Sequence, residues 1–93
     1  MTQSSGRNES EWLNATRELE MKLGIHAGDI YEDSARHPCL CIEVDYENDE
    51  IWGVSLVDGS HPRACSLLSS GVRKMALEEA WKRKLELEVP RSN

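Results

Sequence analysis

Two short segments, "HPCLC" (His37–Cys41) and "HPRAC" (His61–Cys65), carry the side chains of this 93-residue chain that are best suited to chemistry. Together they supply two histidines and three cysteines, which are preferred ligands of zinc. A cysteine beside a histidine is also the core of a nucleophilic cysteine enzyme. The two segments therefore raise two hypotheses, a zinc site and thiol catalysis.

The spacing of these residues argues against zinc. Structural zinc sites place paired ligands on tight knuckles such as Cys-x-x-Cys, and each ligand lies about 2.0 to 2.3 Å from the ion. In the strand register predicted below, Cys39 and His61 are two strands apart, roughly 9.5 Å at the backbone. We therefore expect no metal, no cofactor, and cysteines that pack as small apolar side chains.

Distance also argues against thiol catalysis and against a disulfide. His61 and Cys65 would be about 13 Å apart along a strand, beyond hydrogen-bond reach. A Cys39–Cys41 disulfide would span about 6.6 Å between Cα atoms, near the upper limit of the geometry. His37 and Cys39 are two residues apart and could lie on the same face of a strand. This pair alone keeps a thiol- or metal-dependent enzyme as a third hypothesis. We predict that the chain is not an enzyme.

Charge is divided unevenly along the chain. Residues 1–62 hold 13 acidic and 4 basic side chains, and residues 63–93 hold 4 and 7, within a net charge of −6. The negative net charge argues against a protein that binds nucleic acid with its whole surface. The basic C-terminal third keeps nucleic-acid binding as the alternative function. The acidic segment 45–50 lacks the glycine and the terminal glutamate of a calcium loop, which predicts a solvated loop.

Two amphipathic helices bracket the chain. Residues 1–9 are polar and predict a disordered tail, followed by a single domain over 10–90. Apolar residues at helical spacing predict a first helix over 11–23, ended by Gly24 and followed by an apolar contact from Ile25. A second helix over 76–88 would turn one side to the core. The predicted apolar stripes are Trp12, Leu13, Thr16, Leu19 and Leu23 in the first helix, and Leu77, Ala80, Trp81 and Leu85 in the second.

Short strands fill the middle of the chain, at about 30–31, 38–45, 51–58, 62–68 and 72–75. Alternation predicts that Leu40, Ile42 and Val44 lie in the core opposite Leu56, Val54 and Trp52. The Asp58–Ser60 segment predicts a three-residue hairpin loop. That loop would place His61, Arg63 and Cys65 on the outer, solvated face, whereas a strict two-residue loop would reverse the faces. We favour the three-residue loop because it leaves the Arg63 guanidinium in water.

A helix, four or five strands and a helix predict an α+β fold: a small, strongly bent antiparallel sheet or SH3-like barrel flanked by an N-terminal and a C-terminal helix. The segments "SLVDGSHPRACS" (Ser55–Ser66) and "GVRK" (Gly71–Lys74) resemble a group of small bacterial proteins with no assigned function. The resemblance spans about residues 28–81. It implies no activity.

Protein recognition is the function that these patterns favour. Small antiparallel sheets bind peptides at exposed edges, although helices that close every edge would instead make an autonomous domain. A core position for Trp81 would leave few aromatic side chains to stack on bases. No apolar run or export signal is present, so we expect a cytoplasmic protein without membrane contact. We predict a non-enzymatic module with a protein partner, binding through His37, His61, Arg63, Cys65 and Arg73.

Overall fold

The computed structural model describes residues 9–88, with side chains from Leu13 onward. It confirms the α+β class with a helix at each end. The predicted tail lies outside the described residues except for Glu9, which begins the first helix. The elements are α1 (Glu9–Leu23), β1 (Ile30–Glu32), β2 (Pro38–Asp45), β3 (Glu50–Ser55), β4 (Arg63–Ser66), β5 (Arg73–Lys74) and α2 (Leu77–Glu88).

The five strands form one antiparallel sheet in the order β4-β3-β2-β1-β5. The first four strands form a meander. Strand β5, the last in sequence, pairs with the edge of β1 that β2 leaves free. Strands β4 and β5 lie at opposite edges, so the sheet is open. Barrel closure is not observed among the described strands.

The register between β2 and β3 differs from the predicted one. Leu40 pairs with Val54 instead of Leu56, and Val44 pairs with Ile51 instead of Trp52. The register shifts between Cys41 and Glu43, where Ile42 is the extra residue of a β-bulge. Because of that extra residue, Val44 turns towards the core and Glu43 turns away from it.

One side of the sheet, here called the inner face, is sealed. It presents the small residues of β2 and β3 together with the ring of Tyr31. Side chains from α1 and the loops cover it: Leu19, Leu23, Ile25, Tyr46, Leu67 and Val72. The inner-face residues themselves are Tyr31, Cys39, Cys41, Ile51, Gly53 and Ser55, all buried.

Gly53 explains how a tyrosine fits over this sheet. A Cβ atom at Gly53 would lie 2.5 Å from the Tyr31 hydroxyl oxygen and 2.8 Å from the Leu40 carbonyl oxygen. No side chain is accommodated at those distances without movement of the backbone or of the ring. The absence of a side chain at Gly53 therefore makes room for the ring and hydroxyl of the fully buried Tyr31.

The opposite side of the sheet, here called the outer face, carries the side chains that the sequence placed in the core. That prediction is wrong: Leu40 is 38% exposed and Ile42 is 48% exposed. Trp52, Val54 and Leu56 are only half-buried. The same correction applies to α2, where Leu77 is 69% and Trp81 is 56% exposed, and Leu85 is also exposed.

The β3–β4 connection is longer than the three-residue loop that was predicted. Gly59 has a φ of 75°, which confirms a turn at this point, but strand pairing resumes only at Gly53 and Arg63. The longer loop reverses the faces of β4. Arg63 and Cys65 point towards the inner face, whereas Ala64 and Ser66 are exposed. The expectation that Arg63 and Cys65 lie on the solvated face is therefore wrong.

Helix α1 projects from one end of a molecule that measures 62 × 20 × 20 Å. It ends as predicted at Gly24, whose φ is 65°, and the following Ile25 is fully buried. The Tyr46 hydroxyl accepts a hydrogen bond from the Ile25 amide (3.0 Å) and donates one to the Ile25 carbonyl (2.7 Å). This single phenol oxygen satisfies both polar groups of the residue that leaves the helix.

Candidate functional site

The outer face and an exposed stripe of α2 form a continuous apolar surface. The α2 stripe consists of Leu77, Trp81 and Leu85, which repeat every four residues and so lie on one side of the helix. A groove between the stripe and the sheet is almost wholly apolar. Its lining residues are Ile30, Leu56, Leu77, Ala80, Trp81 and Lys84.

The position of α2 explains why this surface stays open. The helix packs on β1 and β2 through Ala80, which is buried. Arg83 donates a hydrogen bond to the Arg36 carbonyl (2.8 Å), and the Lys84 ammonium lies 3.4 Å from the Val57 carbonyl. These three residues define the side of α2 that meets the sheet. The apolar stripe therefore flanks the contact instead of entering it.

Glu32 is the main polar anchor beneath α2. It is buried at the end of β1, and its carboxylate forms ion pairs with Arg83 and with Arg73, whose Nε lies 2.8 Å away. Arg36 adds a longer contact of 3.7 Å. The hydrogen bond with Glu79, together with Glu32, raises the pKa of Arg73. Two elements that are distant in sequence thus meet at one buried carboxylate, which fixes α2 on the sheet.

Asp33 organises a second polar cluster on the inner face. One carboxylate oxygen accepts hydrogen bonds from the backbone amides of Ala35 (2.9 Å) and His37 (3.0 Å), which holds the β1–β2 turn. The other oxygen accepts from Arg63 Nε at 3.1 Å. Burial opposes the charge on Arg63, but the bond to Asp33 prevails and raises the pKa of the guanidinium.

His37 contacts a serine instead of a cysteine. Its Nε2 lies 2.6 Å from the hydroxyl oxygen of Ser55, which also accepts hydrogen bonds from the amides of Val57 and Asp58. Burial, followed by the positive charge of Arg63, lowers the pKa of His37. Since Ser55 receives two amide protons, its own proton is directed to a neutral His37. The pair has the geometry of an activated serine, but Ser55 is buried.

The three cysteines are free thiols. Burial, followed by the charge of Asp33, raises the pKa of Cys39 to about 12. Burial and Asp29 raise the pKa of Cys41 to about 11. Both thiols therefore stay protonated at neutral pH, and a thiol is a far weaker nucleophile and metal ligand than a thiolate. Within residues 9–88, no group of three or more His, Cys, Asp or Glu side chains is placed to hold a metal ion.

The five residues predicted to bind a partner occupy different environments. Asp33 brings His37 and Arg63 together, whereas Arg73 belongs to the Glu32 cluster. Cys65 is half-buried and packs against the core. His61 is exposed, and its bond to Pro62 is cis. Their role in binding stays a prediction.

Sequence reasoning missed the two carboxylates and the open apolar surface. The stretch "YED" (Tyr31–Asp33), with two acids directly after a short strand, was the available signal for the clusters.

Comparisons with protein-family models, curated proteins and solved structures find no match to this chain. In the part of the chain that is described, neither helix is long and apolar enough to cross a bilayer.

Proposed function

We propose that this chain is a non-enzymatic protein-interaction module that binds its partner on the outer face and the α2 stripe. The observation that carries the proposal is the exposure of Leu40, Ile42, Leu77 and Trp81 on one surface. Large contiguous apolar patches on soluble proteins mark interaction sites. The strand order, a meander with its fifth strand beside the first, supports a relationship to SH3-like topology within the same proposal.

Burial of the reactive groups supports the non-enzymatic part of the proposal. Cys39 and Ser55 are buried on the inner face, and the ring of His37 is hydrogen-bonded to Ser55. A nucleophile must reach its substrate as well as its base. No displacement of a covering element is needed for the outer face to bind a protein.

For the alternative function, nucleic-acid binding, the exposure of Trp81 is favourable and the pairing of the basic side chains is unfavourable. The exposure of Trp81 provides an aromatic ring for base stacking. However, five of the six basic side chains from Arg63 to Lys84 form ion pairs with acidic residues of the same chain. Such cations release few counterions to a phosphate backbone. A protein partner is therefore favoured.

Site-specific photo-crosslinking in the native host tests the proposal. A benzophenone side chain at position 77 or 81 should capture a protein that mass spectrometry identifies, because both positions face the groove. The matched control is position 21, since Met21 is 76% exposed but lies on α1. Equal capture at position 21, or no protein adduct at 77 and 81, would contradict the proposal.

Titration with labelled single-stranded RNA and DNA tests the alternative. We expect no binding at physiological salt. Lys74→Glu and Lys82→Glu are the informative variants, because their side chains are exposed, whereas replacing Arg73 or Arg83 would break the Glu32 cluster. Micromolar binding that both variants weaken would favour the nucleic-acid function.

A further inference from the structure

We propose that the free edge of β4 pairs with the β4 edge of a second copy of this chain, antiparallel and about a two-fold axis that passes between the two Ala64 residues. The contact lies at the edge of the sheet and leaves the outer face and the α2 stripe uncovered. The inference is therefore independent of the proposed function. It is carried by the backbone groups that β4 leaves free and by the way these groups match in the pair.

Backbone groups along β4 alternate between β3 and the free edge. The Leu67 amide donates a hydrogen bond to the Asp49 carbonyl (2.8 Å) at the end of the β3–β4 pairing. In an antiparallel ladder the direction changes at every residue. Cys65 therefore also bonds to β3, whereas Ala64 and Ser66, both exposed, direct their backbone groups outward.

Four outward groups are available along this edge. They are the Pro62 carbonyl, the amide and the carbonyl of Ala64, and the Ser66 amide, none of which bonds to another residue within 9–88. Two further groups are closed to pairing. Pro62 has no amide hydrogen, and the Ser66 carbonyl already accepts a hydrogen bond from the Ser69 amide (3.1 Å). An edge with unpaired backbone groups is a template for another strand.

The register centred on Ala64 matches all of these groups. Each Ala64 amide donates to the Ala64 carbonyl of the other copy, and each Ser66 amide donates to the other copy's Pro62 carbonyl, which makes four hydrogen bonds. The same register sets the proline nitrogen, which cannot donate, against the Ser66 carbonyl, which is already bonded. Reciprocal contact of this kind is what an isologous interface requires.

Other registers and other strands fit less well. Pairing Ala64 with Pro62 leaves the Ala64 carbonyl without a donor, and pairing Ala64 with Ser66 sets an amide against an occupied carbonyl. A strand without proline at the matching position would do the same at Ser66. A second copy is therefore a better occupant of this edge than an unrelated extended peptide.

Side chains beside the axis permit the approach. Ala64 is small, and the Arg63 guanidinium is already paired with Asp33 at 3.1 Å. On β3, Glu50 lies opposite Ser66. In the pair, the Cα atoms of the two Glu50 residues would be about 20 Å apart, beyond the Debye length of about 8 Å. The contact therefore buries no unpaired charge.

Net charge acts weakly against the pair. Each copy carries a net charge of −6, and the exposed Asp58 lies in the β3–β4 loop, at the end of the pair where the other copy places its acidic segment 45–50. Salt screens such repulsion. We therefore expect the dimer to tighten as salt rises, which is the opposite of an interface held by ion pairs. A dimer that weakens with salt would contradict the inference.

Hydrogen exchange of individual amides measures the contact directly. At a concentration where about nine-tenths of the chain is dimeric, the Ala64 and Ser66 amides should exchange about tenfold more slowly than in dilute protein, because exchange then proceeds from the monomer. The Lys74 amide is the matched control. It points outward from β5 at the opposite edge, since the neighbouring Met75 amide bonds to the Ile30 carbonyl (2.9 Å). Its rate should not change.

A proline at each edge tests which edge pairs. Ala64→Pro removes two of the four hydrogen bonds and should weaken the dimer by about thirtyfold in sedimentation equilibrium of the full chain. Proline is tolerated at an edge position whose amide faces solvent, so the monomer should still fold. Lys74→Pro is the matched control on β5 and should leave the dimer unchanged. Equal weakening by both variants would overturn the inference.

Engineered cysteines test the register in a Cys65→Ser background. Ala64→Cys should give a covalent dimer in oxidised glutathione, because Cα atoms of a hydrogen-bonded pair are about 5.5 Å apart, within the range of a disulfide. Ser66→Cys is the matched control: position 66 is also exposed, but its two Cα atoms would be about 15 Å apart. Equal crosslinking at both positions would overturn the register.

Two further outcomes would overturn the pairing: a chain that stays monomeric at every concentration, and a dimer whose Ala64 and Ser66 amides exchange as fast as in the monomer. Neither result bears on the proposed function, because the photo-crosslinks at positions 77 and 81 report on a different surface.

Discussion

In the central parts of β2 and β3, the two faces of the sheet reverse the usual relation between side-chain size and burial. The inner face carries Cys39, Gly53 and Ser55 and is sealed, whereas the outer face carries Leu40 and Trp52 and is open. The inner face needs small residues because Tyr31 and the covering loops fill the space above it. Interiors are close-packed, so small strand residues mark the side where another element approaches closely.

The largest expected effect comes from a charge on the inner face. Arg63→Met should destabilise the fold by about 3 to 5 kcal/mol, because it leaves the buried Asp33 carboxylate without its ion-pair partner. Lys74→Met is the matched control: its pair with Asp29 is longer, 3.6 Å, and exposed, so the cost should stay below about 1 kcal/mol. Urea unfolding measures both, and similar losses would contradict the contrast.

Truncation of one isoleucine on each face compares the faces directly. Ile51→Ala removes a fully buried side chain and should cost about 2 to 5 kcal/mol. Ile42→Ala should change the stability of the dilute monomer by only about 0.5 kcal/mol, because its side chain already meets water. A greater loss from Ile42→Ala than from Ile51→Ala would show that the faces are assigned wrongly.

A methyl group at Gly53 tests why the inner face is small. Gly53→Ala should cost about 1 to 3 kcal/mol, since the new Cβ would clash with the Tyr31 hydroxyl and the Leu40 carbonyl. Tyr31→Phe removes one of these two contacts. Thermal melting of the double variant should therefore show a loss smaller than the sum of the single losses. Strict additivity would mean that the Tyr31 hydroxyl does not contact this position.

The smallest effect should be a pH dependence from His37. Its pKa is lowered in the folded chain, so the unfolded chain binds a proton more readily. Stability should therefore be full above pH 6.5 or so, the unfolded value, and should fall as the pH is lowered through it. Urea titrations between pH 8 and pH 5.5 measure this slope. His37→Gln should flatten it; an unchanged slope would assign the proton to another group.

Local signals predicted the elements well. Apolar spacing located both helices, Gly24 located the end of the first, and alternation located the strands, because these patterns depend on neighbours in sequence. Alternation shows that a strand has two faces but does not show which one another element covers. The bulge at Ile42 also shifts which residues of β2 face the core, and no glycine, proline or other turn residue in the sequence indicates it.

The candidate site was harder to predict because long-range contacts define it. Arg83 lies 51 residues from Glu32 in sequence, and Arg63 lies 30 residues from Asp33. The Arg83–Glu32 pair turns the basic side of α2 towards the sheet and so exposes Trp81, although the spacing of Trp81 with Leu77 and Leu85 is typical of a core stripe. The residue types indicated which side chains could bind a partner, but only the fold determines which of those side chains reach solvent.

The bidentate use of the Tyr46 hydroxyl has a mechanical consequence. A force applied to α1 passes to the sheet through the apolar contacts of Leu19, Leu23 and the buried Ile25, through the Glu20–His26 contact, and through the Tyr46 hydroxyl that holds the Ile25 backbone. With 15 residues, α1 is about 22 Å long, which gives such a force leverage on that joint. Loss of the phenol oxygen would leave the buried amide and carbonyl of Ile25 without a hydrogen-bond partner, and side-chain contacts alone would then couple α1 to the sheet.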